Sequence, residues 1–198
     1  NMKIIKMIGI IDYELGNTQS VETCIKNLNF NYRLCKNPIE INNCSHVILP
    51  GVGSFASTMN NLKKLNFIPS LSENILKKKK FFLGICVGFQ ILFEKGLENK
   101  ETSGLGWLKG TCQNLNVFNN SALTPHSGWN EIENYNEMKL FDGIDKNDKN
   151  FYFLHSYLIN DLEKKENLKF SKTFYDDINF ISSIEYENIY GSQFHPEK

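Results

Sequence analysis

In its first half the chain alternates short apolar runs with longer segments whose apolar residues recur every three or four positions. The short runs predict buried strands, and the longer segments predict helices with one buried face. The predicted strands are residues 7–11, 32–35, 45–49 and 81–83, and the predicted helices are residues 18–28, 55–65, 69–80 and a segment after residue 86. Thr18 or Ser20 is expected to cap the first helix. The alternation predicts a parallel α/β sheet.

Two glycine-containing loops follow neighbouring predicted strands in this half. Residues 50–53 read P-G-V-G after the third strand, and residues 84–88 read G-I-C-V-G after the fourth. Loops at the carboxyl ends of parallel strands carry the ligand sites of such sheets. We therefore expect these two loops to face each other across a crevice.

The second half changes character to short apolar runs separated by turn residues. The predicted strands are residues 104–107, 112–118, 129–132, 151–154, 169–174, 178–184 and 189–194, with a hairpin at Glu187 and Asn188. This pattern predicts mixed or antiparallel strands packed on the first half. The sequence shows neither an internal repeat nor a linker, so residues 1–198 are expected to form a single domain.

Composition narrows the class of protein. The 198 residues are 41% hydrophobic and 22% charged, and the 22 basic and 22 acidic residues balance, so no nucleic-acid partner is expected. The chain has neither a membrane-length apolar stretch nor the features of a signal peptide at its start, so no membrane association is expected. Five cysteines without a C-x-x-C pair indicate reduced thiols in the cytoplasm and argue against a zinc site. No cofactor and no metal are expected.

One cysteine lies between two glycines after an apolar strand. Residues 81–83 suit a buried strand, G-I-C-V-G follows, and the apolar residues 89–93 suit a buried helix. This order is that of a nucleophile elbow, with cysteine in place of serine. Gly84 and Gly88 would avoid a clash between strand and helix, and the start of the helix would favour a thiolate at Cys86. Because a cysteine in an apolar run is more often a small buried hydrophobe, the pattern needs a second observation.

The second observation is a strand near the end of the chain that finishes in His195-Pro196-Glu197. A nucleophilic cysteine needs a base that takes its proton and later protonates the leaving group, and a third group that orients the base. His195 and Glu197 suit these two roles, and Pro196 would stiffen the backbone between them. The sequence therefore predicts a Cys-His-Glu triad with Cys86 as its nucleophile, and the N–H of Val87 as an oxyanion donor.

The segments G-I-C-V-G-F-Q (84–90) and H-P-E (195–197) together resemble the class I glutamine amidotransferase family, and the resemblance covers essentially the whole chain. It implies the α/β fold of that family, with a central, mostly parallel sheet flanked by helices and added antiparallel strands in the second half. Further segments, at residues 11–17, 49–53, 104–107, 125–130 and 152–157, resemble the family's histidine-biosynthesis branch.

The resemblance implies hydrolysis of L-glutamine to L-glutamate and ammonia, in which Cys86 attacks the side-chain amide. The oxyanion hole would comprise Val87, Gly51, Val52 and Gly53. The substrate-binding residues would be Gln90, Glu98, His155, Ser156 and Tyr157, with Glu94 as a competing candidate for Glu98. His126 is expected to order its loop.

The resemblance also implies a heterodimer with a separate (β/α)₈-barrel synthase subunit, which would use the ammonia to make imidazole glycerol phosphate. Trp129, Tyr152 and Lys198 would face that partner, although core packing is an equally good reading of the two aromatic residues. The glutaminase would be quiet until the partner binds its ligand.

Two alternatives stay open at the level of the sequence. One is a paralogous glutaminase that supplies ammonia to another acceptor, such as a sugar amidation enzyme, and the other is a catalytically silent binding subunit. Glu14 stands where the family usually has glycine, which would alter the partner-facing surface. The intact set of Cys86, His195 and Glu197 argues against the silent subunit.

Overall fold

The computed structural model of the protein describes residues 6–135, 137–145 and 147–198. Its first half alternates strands and helices, as the periodicity predicts. The elements are β1 (Ile8–Ile11), α1 (Thr18–Asn27), β2 (Tyr32–Cys35), β3 (His46–Leu49), α2 (Phe55–Lys64), α3 (Phe67–Leu71), β4 (Phe81–Ile85) and α4 (Val87–Gln90). Within this part of the chain no helix has both the length and the apolar character needed to cross a membrane.

The second half is dominated by strands. They are β5 (Phe93–Gly96), β6 (Thr102–Ser103), β7 (Leu108–Asn114), β8 (His126–Glu131), β9 (Asn150–His155), β10 (Tyr157–Ile159), β11 (Lys169–Tyr175), β12 (Ile178–Tyr186) and β13 (Ile189–Ser192). Short 3₁₀ turns lie at Pro38–Asn43, Leu115–Val117 and Lys139–Phe141.

The large sheet has the strand order β2-β1-β3-β4-β13-β12-β10-β7-β5-β6, with β11 paired to β12. Strands β2, β1, β3, β4 and β13 are parallel to one another, whereas β12 and β10 run antiparallel to their neighbours. Strands β8 and β9 form a separate antiparallel pair. The last strand of the chain therefore lies directly beside β4, which ends at the predicted elbow.

Several predicted element boundaries are wrong. The helix expected at residues 69–80 is divided into α3 and a π-helical segment, Ser72–Lys77. Residues 104–107 form a loop, because Gly104 packs on the carbonyl of Phe93 and Gly106 has a φ of +66°. The strand expected at residues 112–118 ends at Asn114, whose side chain accepts from the N–H of Asn116.

The ends of two further elements also differ from the prediction. The helix after residue 86 has only four residues, and Phe93 begins a strand. The N-cap of α1 is Asn17 and not Thr18 or Ser20, and the Asn17 side chain donates to Ser20 instead of capping the helix backbone. The final strand stops at Ser192, so the predicted catalytic histidine lies just beyond it.

A second hydrophobic cluster lies beside the main core and anchors the segment that carries the histidine. Phe194, the residue before His195, is buried, and its ring packs on those of Phe151 and Phe153 with centroids 4.3 and 5.7 Å apart. Phe180 from β12 joins the same cluster. Packing of Phe194 thereby fixes the position of the adjacent imidazole relative to β9.

Candidate active site

Cys86 lies at the turn between β4 and α4 with φ 53° and ψ −108°, a backbone conformation that non-glycine residues rarely adopt. Only 4% of its surface is exposed. A Cβ atom at Gly84 would lie 2.4 Å from the carbonyl oxygen of Gly88, and one at Gly88 would lie 2.1 Å from that of Leu49. The sequence prediction that both glycines avoid clashes at an elbow is therefore confirmed.

The end of the chain returns to this turn. The Cys86 N–H donates to the carbonyl of Ser192 on β13 (2.7 Å), and the His195 N–H donates to that of Tyr152 on β9 (2.9 Å). His195 Nδ1 lies 3.0 Å from Glu197 Oε1, and both side chains are more than nine-tenths buried. The structure thus brings together the three residues predicted as a triad.

The environment of His195 favours its protonated form. Burial alone would lower the pKa of His195, but hydrogen bonds and charge interactions with Cys86 and Glu197 outweigh it and raise the pKa to about 10. The imidazole therefore interacts with the Cys86 side chain as well as with the Glu197 carboxylate, which it contacts through Nδ1. Such an imidazole can carry a proton between a nucleophile and a leaving group.

The loop of residues 50–53 faces the elbow, as expected from the strand order. A Cβ atom at Gly51 would lie 2.3 Å from the Gly88 nitrogen, so only glycine lets the two backbones approach this closely. Gly53 has a φ of +98° and open space around it, and Val52 is exposed. Through Gly51 this loop packs on Val87 and Gly88, the first two residues of α4. With only one turn, α4 supplies a weaker dipole than the sequence prediction assumed.

Three of the predicted substrate-binding residues, Gln90, His155 and Tyr157, belong to one hydrogen-bond network. Gln90 is buried, and its Nε2 donates to the carbonyl of Tyr157 (2.8 Å) and to Gln193 Oε1 (3.0 Å). His155 Nδ1 lies 2.9 Å from the same Tyr157 carbonyl. The two amide hydrogens of Gln90 are therefore engaged within the protein, and its oxygen is the atom left to meet a ligand.

His155 is a neutral supporting residue in this geometry. Its Nε2 lies 3.0 Å from Nδ1 of His126, and the ring of His126 stacks on that of Tyr175 with centroids 3.9 Å apart. Burial lowers the pKa of His155 to about 3 and that of His126 to about 4. The predicted ordering role of His126 agrees with these contacts.

Glu98 and Ser156 have backbone contacts. Glu98 Oε2 accepts from the N–H of Phe55 at the start of α2 (2.8 Å), immediately after the loop of residues 50–53. The Ser156 carbonyl accepts from the N–H of Leu115 (2.9 Å). One carboxylate oxygen of Glu98 thus secures the helix that follows the loop.

Sequence reasoning missed two contacts to the nucleophilic sulfur. The Leu154 carbonyl lies 3.8 Å from Cys86 Sγ, and Gln193 Nε2 lies 3.7 Å from it. Gln193 stands two residues before the histidine, and this closeness to the H-P-E motif was the sequence signal that could have indicated a place in the site. The contact itself depends on the pairing of β13 with β4, which the sequence pattern does not specify.

The residues predicted to face a partner lie at the rim of a cleft near the base. Trp129 on β8 is 64% exposed, and its ring meets that of Tyr152 edge to face at 5.9 Å. A cleft of about 480 Å³ is lined by Trp129, Phe151, His195, Pro196, Lys198 and neighbouring residues. The exposure of Trp129 shows that it is not a core residue.

Comparison with known proteins decides the family. The family described as "Glutamine amidotransferase class-I" matches residues 9–198. The chain belongs to the class I glutamine amidotransferases. Its Leptospira borgpetersenii relative, named imidazole glycerol phosphate synthase subunit HisH, is 41% identical over 97% of this chain and 93% of its own length. The relative of that name from Methanocaldococcus jannaschii is also 41% identical, over 97% and 92% of the two chains.

Solved structures agree with the fold of this amidotransferase. One described as a glutamine amidotransferase superposes with a TM-score of 0.71 at 15% identity, covering 96% of this chain and 90% of that one. PurLQS from Thermotoga maritima gives a TM-score of 0.68 at 19% identity, covering 97% and 88%. At these identities the likeness concerns the fold, and it confirms the predicted fold class.

Proposed function

We propose that this amidotransferase is the glutaminase subunit of an imidazole glycerol phosphate synthase, and that it hydrolyses L-glutamine for histidine biosynthesis in the cytoplasm. The observation that carries the proposal is the buried His195–Glu197 pair that interacts with Cys86 at the elbow. The substrate and pathway are supported by curated relatives named as that subunit, about 40% identical over 97% of the chain.

In the proposed mechanism Cys86 Sγ attacks the side-chain amide carbon of glutamine, and the carbonyl electrons move to the oxygen. The backbone N–H of Val87 and those of residues 51–53 stabilise this oxyanion. His195 protonates the departing ammonia and leaves a thioester on the sulfur. His195 then removes a proton from water, which attacks the thioester and releases glutamate, while Glu197 holds the imidazole in place.

The substrate would lie between the elbow and the segment of residues 155–157. A Glu98 oxygen that is not bound to the α2 backbone would accept from the substrate α-ammonium group. The Gln90 oxygen would accept a hydrogen bond from the ligand, because the Gln90 nitrogen is already engaged. The backbone around His155, Ser156 and Tyr157 would line the pocket.

The ammonia acceptor would be held by a partner, a (β/α)₈-barrel synthase subunit that forms a heterodimer with this chain. Trp129, Tyr152 and Lys198 are the proposed contact residues, since Trp129 and Lys198 line the cleft beside His195 and the Tyr152 ring packs on that of Trp129. Large aromatic side chains at a rim are typical anchors of protein interfaces. Ammonia released at His195 would then pass to the partner instead of to water.

The test is glutamate release from glutamine by this chain alone and with a synthase subunit and its nucleotide ligand. We expect low activity alone, strong activation in the complex, and loss of activity in the Cys86→Ala variant. Activity that no synthase subunit enhances would favour a glutaminase for another acceptor. An inert Cys86 and no activity in any complex would refute the proposal.

A further inference from the structure

Gln193 occupies the turn between β13 and His195 and has no exposed surface. Its N–H donates to the carbonyl of Ser182 on β12 (2.8 Å), which fixes its backbone. Its side chain reaches Gln90 with one end and Cys86 with the other. A buried amide in such a position has a definite donor end and acceptor end, and the surrounding bonds decide which is which.

The network assigns the orientation of the Gln193 amide. Gln90 Nε2 has two hydrogens, and its neighbours are the Tyr157 carbonyl at 2.8 Å and Gln193 at 3.0 Å. The Tyr157 carbonyl is an acceptor and takes one hydrogen, so the other is directed at Gln193. The Gln193 atom that receives it must be the oxygen, and this turns the Gln193 nitrogen towards the sulfur of Cys86.

Besides His195, the sulfur has two hydrogen-bonding neighbours of opposite preference. The Leu154 carbonyl, 3.8 Å away, is an acceptor and stabilises a thiol that donates to it. The Gln193 N–H, 3.7 Å away, is a donor and stabilises a thiolate. Since α4 has a single turn, its N-terminus adds little to the thiolate side of this balance.

We propose that Gln193 is a further catalytic residue, whose amide donates a hydrogen bond to the Cys86 thiolate and holds it in place for attack. This inference rests on the proposed role of Cys86 as nucleophile. Through Gln90 the same amide also ties the position of the nucleophile to a residue of the proposed substrate pocket. When the donor is lost, the Leu154 carbonyl is the remaining hydrogen-bonding neighbour of the sulfur outside the triad, and it favours the thiol, which is a poorer nucleophile than the thiolate.

Two variants separate contact with the sulfur from support of Gln90. Gln193→Met keeps the length of the side chain but removes both donor and acceptor. Gln193→Glu keeps an oxygen that can accept from Gln90 and replaces the nitrogen donor with a second carboxylate oxygen. Gln113→Met, on β7 and outside the network, is the matched control. The readouts are alkylation of Cys86 by iodoacetamide, followed by peptide mass spectrometry, and glutamate formation with the synthase subunit, on variants shown to be folded by circular dichroism.

We expect both Gln193 variants to slow Cys86 alkylation about tenfold at pH 7, which corresponds to the loss of one hydrogen bond to a charged group. The control Gln113→Met should match wild type. In Gln193→Glu the kcat for glutamate formation should fall while KM changes little.

Unchanged alkylation in both folded variants would overturn the inference. Slow alkylation in Gln193→Met alone would also overturn it, because Gln193 would then act only by supporting Gln90. If wild type formed no glutamate and both Gln193 variants still slowed alkylation, the proposed function would fail while the contact with the thiolate stood.

Discussion

Gly88 allows the first turn of α4 to rest on the backbone of β3, and its substitution is a direct test of the elbow. An added Cβ would lie 2.1 Å from the Leu49 carbonyl oxygen, whereas ordinary contact begins at 3.4 Å. The Gly88→Ala variant therefore requires a relative movement of about 1.3 Å between helix and strand. The obstacle is backbone in the parallel core, so no side-chain rotation relieves it.

We expect Gly88→Ala to lower the free energy of unfolding by about 3 kcal/mol, the upper part of the range for overpacked cores. For a chain of this length that corresponds to a fall in Tm of about 6–12 °C. The movement also displaces the loop of residues 50–53, and a 1 Å misplacement of catalytic groups can cost about 10²-fold in kcat. Urea denaturation, calorimetry and glutamate release measure the three quantities.

The matched control is Gly106→Ala. Gly106 has a φ of +66° and no atom within 4 Å of an added Cβ, so the control introduces backbone strain of about 1–2 kcal/mol without a clash. If Gly88→Ala were as stable as Gly106→Ala and retained wild-type kcat, the close approach of α4 and β3 would not exist in solution.

Substitutions at three further positions test the electrostatics and the strain of the fold. Glu197→Gln should lower the pKa of His195 from about 10 and reduce kcat by on the order of 10²-fold or more, measured by NMR titration and steady-state kinetics. Because the folded-state pKa of His195 is raised from 6.5, its stabilising contribution is complete below pH 6.5 and is lost as the pH rises towards 10, so the stability gap between wild type and variant should narrow over that range. Burial lowers the pKa of His126 from 6.5 to about 4, so the stability that this residue contributes is present above pH 6.5 and is lost as the pH falls towards 4. In urea denaturation, the stability of His126→Gln should therefore fall less steeply with acid than that of wild type. Equal slopes of stability against pH would contradict this. Glu14 has a φ of +71° and an exposed ion pair with Lys64. Glu14→Gly should be more stable than Glu14→Ala by about 1 kcal/mol, because both variants lose the ion pair and only alanine keeps the backbone strain. Equal stabilities of the two variants would show that no strain is stored at this position.

The parallel half of the fold was predictable because its signals are local. The apolar runs at β1, β3 and β4 are strands with mostly buried residues, and segments of helical period alternate with them along the chain. The elbow follows from its two glycines, whose role is steric and needs no knowledge of distant residues. The backbone of Glu14 is a further local feature of this kind, because the family usually has glycine at this position and the backbone here is left-handed.

The second half was less predictable because its element ends depend on tertiary contacts. The loop at residues 104–107 exists because Gly104 packs on Phe93, and β5 begins at a residue whose apolar neighbours suit a helix equally well. The separation of β8 and β9 from the main sheet has no local signature. The same limit applies to Gln193, since its contact with Cys86 requires β13 to lie beside β4.

The pair of strands β8 and β9 touches both ends of the proposed proton-transfer system. From β9, the Tyr152 carbonyl accepts from the His195 N–H, and the Leu154 carbonyl lies 3.8 Å from Cys86 Sγ. These two residues share the outward side of β9 with Trp129 of β8, which pairs directly with Tyr152. A partner that shifted this strand pair would therefore move an acceptor at the nucleophile and an anchor of the base together. This coupling gives a physical reason why activity could depend on a bound synthase subunit, without any change in the triad residues themselves.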